Sequence, residues 1–377
     1  MKPRFSAHLC RLPVHELRCG YYSDIYFWRE KLTLERHGLH PRATLQVFQK
    51  REALLCGVEE ALAVLRAASG RYTDPRRAAD LFDRYLTTGD DDSIASELDQ
   101  LWESGFHSLE IQTLKDGDRI APWESVMHLT GDASLFAHLE TVYLGILARR
   151  TKIATNVRDV FDASCGKPVL FFPARFDHWS VQEGDGYAAF VGGASGVSTP
   201  AQAAWMKKEA LGTVPHALIA AVGGDTVRAV ALFHETFPEV NLVALVDFNN
   251  DCVGTSLKCC EALGRNLWGV RLDTSAEIID TSASEPGVTI DLVEKTRNQL
   301  DGSGFSHVKI VVSGGFNPER IRRFEAAGAP VDAYGVGSSL MQGNYDFTAD
   351  IVLVDGKPCA KTGRQFNANP RLHPIDE

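Results

Sequence analysis

From about residue 165 onward, short and almost continuously apolar runs alternate with helical stretches, and this rhythm constrains the fold more than any other feature of the chain. The runs are PVLFF (168–172), NLVALVD (241–247), WGVRLD (268–273), HVKIVVS (307–313) and VDAYGVG (331–337). A strand that is apolar at every position is covered on both faces, which is the signature of a parallel sheet flanked by helices. The intervening helices carry readable punctuation. One opens at Ser198-Thr199-Pro200, a second at Asp225 and a third at Asn317-Pro318, while Gly264 and Gly328 mark two ends. Such βα units build either a barrel or a doubly wound sheet. Asp247, Asp273, Ser313-Gly314-Gly315 and Gly335-Val336-Gly337 stand at the carboxyl ends of successive strands. A site shared among so many strand ends favours a barrel.

The first third of the chain lacks this rhythm. Residues 52–68 place Leu54, Leu55, Val58, Leu62 and Leu65 at helical spacing, with Gly70 as a stop. Strand-like runs flank it at 44–48 and 108–114, the latter leading into the Asp116-Gly117 turn. Residues 73–98, with GDDDS at 89–93, read as a polar surface excursion. After residue 344 the rhythm stops, and Asp355-Gly356 predicts a small hairpin. The expected organisation is α/β, with an N-terminal domain over 1–135, a barrel over 136–343, and residues 344–377 returning to the first domain.

Composition narrows the partners. Lys and Arg number 39 against 49 Asp and Glu, a net charge of −10, which argues against nucleic acid or an anionic membrane surface. No run of eighteen apolar residues exists, and the start MKPRFSAHLC has no apolar core of a signal peptide. Eight cysteines without a C-x-x-C pair read as reduced cytosolic thiols and not as a zinc site. The expectation is a cytoplasmic protein without a structural metal.

The residues able to do chemistry lie at the strand ends. Ser313, Gly314 and Gly315 sit between a strand and a helix, where freed backbone N–H groups and the helix dipole favour an anion. Gly335, Gly337 and Ser338 repeat this one strand later, matching the usual phosphate position of a barrel. Arg149, Arg150, Lys152 and Arg158 follow an apolar helical stretch, so their charges need partners. Arg175 follows a strand and Arg271 lies within one, where a guanidinium is costly unless an anion or carboxylate meets it. Asp247 and Asp273 either face one pocket or cap helices, as Asp225 and Asp251 do more plainly. His216 lies in an apolar run, a setting that holds a satisfied core histidine more often than a catalyst, and pattern alone leaves both readings open. No metalloprotease, nucleophile-elbow or P-loop motif is present.

An ordered set of motifs carries a resemblance. They are GYYSDIYF (20–27), LETVYLGILARRTKIATNVRD (139–159), PARFDHW (173–179), VGGASGVST (191–199), GTVPHAL (212–218), GGDTV (223–227), ALVDFNND (244–251), GVRLDTS (269–275), VVSGGF (311–316) and YGVGSS (334–339). Together they resemble the nicotinate phosphoribosyltransferases, among the type II phosphoribosyltransferases that also include the nicotinamide and quinolinate enzymes. The resemblance implies an α/β-sandwich N-terminal domain and an irregular α/β barrel. It also implies transfer of phosphoribosyl from phosphoribosyl pyrophosphate to nicotinate in NAD salvage, with Mg²⁺ and ATP, in a homodimer with shared sites or an oligomer of dimers.

Residue by residue, the resemblance makes Tyr26 the aromatic that stacks on the pyridine ring across a dimer interface. It makes Arg175 the partner of the nicotinate carboxylate. Ser195 stands where the nicotinamide enzyme has an aspartate, which favours an anionic base. Arg149, Arg150 and Thr151 resemble residues lining the phosphoribosyl pyrophosphate pocket; Asp247, Arg271 and Asp273 resemble those around ribose and base. Gly314, Gly315, Gly335 and Gly337 resemble the 5′-phosphate cradle. His216 matches the histidine phosphorylated by ATP. Two features depart from the family: only Cys359 stands where some relatives carry a zinc knuckle, and Phe248 stands where relatives often have a small polar residue. The competing expectations are a quinolinate enzyme without ATP coupling and a non-catalytic nucleotide sensor. An aldolase would need a strand-end lysine, and Lys309 lies mid-strand.

Overall fold

The computed structural model describes residues 5–88 and 91–375. The first four residues, and Gly89 and Asp90 of the polar run, lie outside the described residues. The chain divides into two compact units, 1–154 with 343–377, and 155–342. The division falls inside the Glu140–Ala163 helix and not at 135/136.

The first unit is built on a six-stranded antiparallel sheet. Its order runs Lys357–Pro358, Phe347–Val354, Arg42–Gln49, Ser125–Asp132, Glu110–Thr113, His373–Pro374. Phe347–Val354 thus pairs with the first strand of the chain, and His373–Pro374 closes the opposite edge. Leu45 pairs with Leu129 and Val47 with Met127, all buried, so the apolar alternation of these strands forms one core face. Each such side chain contributes roughly 1.5–3 kcal/mol by leaving water. The other face is polar: Gln46 donates to the Gln365 carbonyl at 3.0 Å and accepts the Asn367 N–H at 2.9 Å. The Asp355-Gly356 turn has positive φ at both residues (48° and 74°), the geometry that a two-residue hairpin requires.

The helix expected over 52–68 begins only at Val58. Ala53–Leu54 is a short strand paired with Arg119–Ile120, and Gly57 stands at φ 100°, outside the helical region. Asp116, on the neighbouring turn, accepts the Val58 N–H at 2.8 Å and supplies the cap that the chain lacks locally.

The second unit curls a six-stranded parallel sheet, ordered Leu242–Leu245, Leu267–Leu272, Lys309–Val312, Ala333–Val336, Val169–Phe171, Gly196–Val197. Helices capped by Thr199, Asp225, Asn317 and Thr289 return the chain between strands. The two edge strands are bridged by one irregular segment. Leu211 donates to the Val197 carbonyl at 2.8 Å, and Val214 donates to the Val243 carbonyl at 3.1 Å. A six-stranded sheet and this seam make the irregular barrel. Because the strands are parallel, their carboxyl ends gather at one rim.

Candidate active site

That rim holds a continuous chain of polar contacts. Asp273 follows its strand directly and accepts two bonds: from Arg271 Nη2 at 2.8 Å and from Ser313 Oγ at 2.7 Å. Arg271 Nε donates to the same Ser313 hydroxyl at 2.8 Å, and its Nη1 reaches Thr213 Oγ1 at 3.1 Å. Its guanidinium lies 5.2 Å from the Phe172 ring centroid. The counter-ion that Arg271 needs inside a strand is therefore Asp273, two residues on and on the same face.

His216 opens a short helix just beyond the barrel seam, and its Nε2 lies 3.0 Å from Asp247 Oδ1. Asp247 is largely buried, and burial pushes its carboxyl above the ordinary range, while the His216 pairing pulls it down and Asp273 raises it. His216 itself is 44% exposed in its side chain, so it is no core histidine. Neither aspartate caps a helix; Asp225 and Asp251 do, accepting the Arg228 and Gly254 N–H groups. Phe248 lies beside His216, ring centroids 6.3 Å apart.

Gly314 and Gly315 follow Ser313 with φ of 83° and 72°, a conformation open to glycine and strained for other residues. The N–H groups of Gly314, Gly315 and Phe316 find no protein acceptor among the described residues. Successive free amides of this kind form an anion-binding concavity. The second glycine run differs. A Cβ on Gly335 would stand 2.4 Å from the Phe172 ring, and one on Gly337 2.9 Å from Phe176. These two glycines admit aromatic rings against the backbone, and Ser338 beside them is exposed. Ser339, which the sequence reading passed over, donates to the Phe316 carbonyl at 2.8 Å and ties the two glycine runs together.

Arg175 ends a 3₁₀ turn, is exposed, and has no ion-pair partner among the described residues. Ser195 is exposed and donates its N–H to the Val169 carbonyl.

The remaining candidates belong to the first unit. Tyr26 is 60% exposed on the Ile25–Arg36 helix, beside exposed Tyr22 and Ile25. Arg149 is half-buried on the long helix. Arg150 and Thr151 are held by the scaffold. Arg150 forks onto Glu60 with Nε at 2.7 Å and Nη2 at 3.0 Å, and Thr151 bonds both the Cys56 N–H and carbonyl at 3.1 Å. The need of Arg150 for a partner is met by a carboxylate ninety residues upstream. Among the described residues no group of three His, Cys, Asp or Glu is placed to hold a metal ion. Among the same described residues no helix is long and apolar enough to cross a membrane.

The rim of this α/β barrel thus brings together a histidine–aspartate pair, an arginine–aspartate–serine network and glycine amides without protein acceptors among the described residues. No family model matches the chain. It is 31% identical to the nicotinate-nucleotide pyrophosphorylase of Pyrococcus furiosus, which superposes with a TM-score of 0.76 over 96% of this chain and 84% of that one. Human nicotinic acid phosphoribosyltransferase superposes with a TM-score of 0.67 at 17% identity, over 92% of this chain and 77% of that one. A nicotinate phosphoribosyltransferase of Mycobacterium tuberculosis is 30% identical over 262 residues, 67% of this chain and 55% of that protein. The Bacillus subtilis enzyme of that name is 25% identical over 336 residues, 85% of this chain and 63% of its own length. The chain therefore matches only about 55–63% of the length of these two curated relatives. The chain belongs to the type II phosphoribosyltransferase family.

Proposed function

We propose that the protein is a nicotinate phosphoribosyltransferase. It transfers phosphoribosyl from phosphoribosyl pyrophosphate to the ring nitrogen of nicotinate, giving nicotinate mononucleotide and pyrophosphate, in NAD salvage. The observation that carries this reading is the His216–Asp247 pair at 3.0 Å on the rim that also holds the glycine amides. The relatives' names support the choice of base.

In this reading the 5′-phosphate sits on the Gly314 and Gly315 amides, with Ser338 at its edge. The transition state develops positive charge at the ribose carbon, and Asp247 and Asp273 lie where they stabilise it. Arg271 donates to Asp273 and holds its carboxylate in place. Mg²⁺ carried in on phosphoribosyl pyrophosphate and ATP would supply charge neutralisation for the pyrophosphate leaving group. Arg175 meets the nicotinate carboxylate, and neutral Ser195 leaves the anionic base unrepelled.

ATP coupling runs through His216. Asp247 engages Nε2, which orients the ring and leaves Nδ1 as the nucleophile for the γ-phosphoryl of ATP. The Nδ1–phosphorus bond forms as the bond to the ADP oxygen breaks, and later hydrolysis of the phosphohistidine returns the free ring. His216→Ala should abolish stimulation by ATP and leave slow ATP-independent synthesis, measured as nicotinate mononucleotide formed with and without ATP. Intact stimulation would remove His216 from the coupling. The protein works in the cytoplasm as a homodimer, in which exposed Tyr26 of one copy serves the partner's base site.

A further inference from the structure

Arg320 occupies the first turn of the Pro318–Ala326 helix, directly after the glycine cradle. Its Nη1 donates to the Gly314 carbonyl at 2.7 Å and its Nη2 to the Val288 carbonyl at 2.6 Å. The guanidinium stacks on Phe316, 4.2 Å from the ring centroid, with Phe324 at 5.8 Å. No carboxylate pairs with it among the described residues. A half-buried guanidinium normally settles against an acid, because a rigid fork of donors matches a carboxylate. Here the fork is used on two backbone carbonyls from two different loops, and its charge stays uncompensated.

The consequence follows from peptide geometry. In a trans peptide the C=O and the next residue's N–H point in opposite directions. Holding the Gly314 carbonyl therefore turns the Gly315 N–H to the side away from Arg320, and Gly315 N–H is one of the amides without a protein acceptor. Without such a hold, two consecutive glycines at positive φ would sample other conformations freely. Ser339 acts on the Phe316 carbonyl in the same way, turning the Asn317 N–H. The Val288 bond adds a second anchor, so the cradle cannot swing without the 274–288 loop.

We propose that Arg320 is a positioning residue for phosphate recognition, fixing the Gly314–Gly315 peptide so that its N–H meets a sugar phosphate and adding an uncompensated positive charge behind it. The proposal rests on reading this loop as a phosphate cradle, and not on which base is used.

The test is titration of the full chain with ribose 5-phosphate by calorimetry, for the wild type, Arg320→Met and Arg320→Lys. Arg320→Met should raise Kd about tenfold or more. Arg320→Lys keeps the charge but cannot hold two carbonyls in a planar fork, and should fall between. In turnover, KM for phosphoribosyl pyrophosphate should rise by the same factor while kcat and KM for nicotinate stay within about threefold, a split that general structural damage would not give. Weaker binding in the variants, with no turnover of any pyridine base by the wild type, would keep the role of Arg320 and overturn the proposed activity. Equal Kd in the wild type and a folded Arg320→Met overturns the role of Arg320. If Arg320→Met does not fold, Arg320→Lys decides, and an unchanged Kd overturns the proposal. A wild type that does not bind ribose 5-phosphate overturns the cradle and the proposal together.

Discussion

Arg175 is an exposed cation without an ion-pair partner, sitting at a strand end on a barrel rim. A carboxylate ligand would supply the missing partner through a charge-assisted bond. Arg175→Ala should accordingly raise KM for nicotinate by about 10- to 100-fold, or about 1.4–2.8 kcal/mol, with kcat little changed. An unchanged KM would assign the carboxylate to another group. At this scale the sequence is most legible where a polar residue ends an apolar strand: Asp247, Asp273 and Ser313 are visible that way. Thr213, Phe172, Arg320 and Ser339 are not, because their roles come from contacts with residues far along the chain. Thr213, for example, meets Arg271 58 residues on. Its only sequence signal is its place beside His216.

Elements show where charge alone misleads. A basic cluster on a buried helix needs partners, but sequence does not say whether they are ligands or protein. Arg150 finds Glu60, on the Val58–Ala68 helix, and the pair is buried on both sides. Glu60→Ala would take from that buried guanidinium the carboxylate it forks onto, and should destabilise the fold by about 3–5 kcal/mol in chemical denaturation. A loss below about 1 kcal/mol would mean that the arginine finds water or another acid. The long apolar strands and the Thr199, Asp225 and Asn317 caps are legible because their signals are local. The two-residue strand Gly196–Val197 is not, since it is too short to show a period, and its place depends on pairing with Val169–Phe171. The start of the Val58 helix is equally hidden: apolar spacing continues back to Leu54, and only the left-handed Gly57 ends it.

For the whole molecule, the alternation of strands and helices made the barrel legible, whereas its seam at 211–214 was not, because irregular chain has no period. Stability carries a pH signature. Burial, with the carboxylates of Glu30, Asp350 and Asp24 around it, pushes Glu140 up to about 8. The folded chain thus keeps a proton that the unfolded chain releases near pH 4.3. Stability from this group is full below that pH and is lost as pH rises toward 8. Glu140→Gln should therefore be more stable than the wild type by about 2 kcal/mol or more at pH 9, and near it at pH 4, in urea denaturation. A difference independent of pH would place an ordinary carboxyl at 140.

The central claim concerns the reaction, and pyrophosphate release tests it most directly. The full chain is given phosphoribosyl pyrophosphate and Mg²⁺ with nicotinate, nicotinamide or quinolinate in turn, each with and without ATP. Release with nicotinate alone, increased by ATP, is the predicted result. Release with quinolinate alone and indifferent to ATP, or no release with any base, would contradict it.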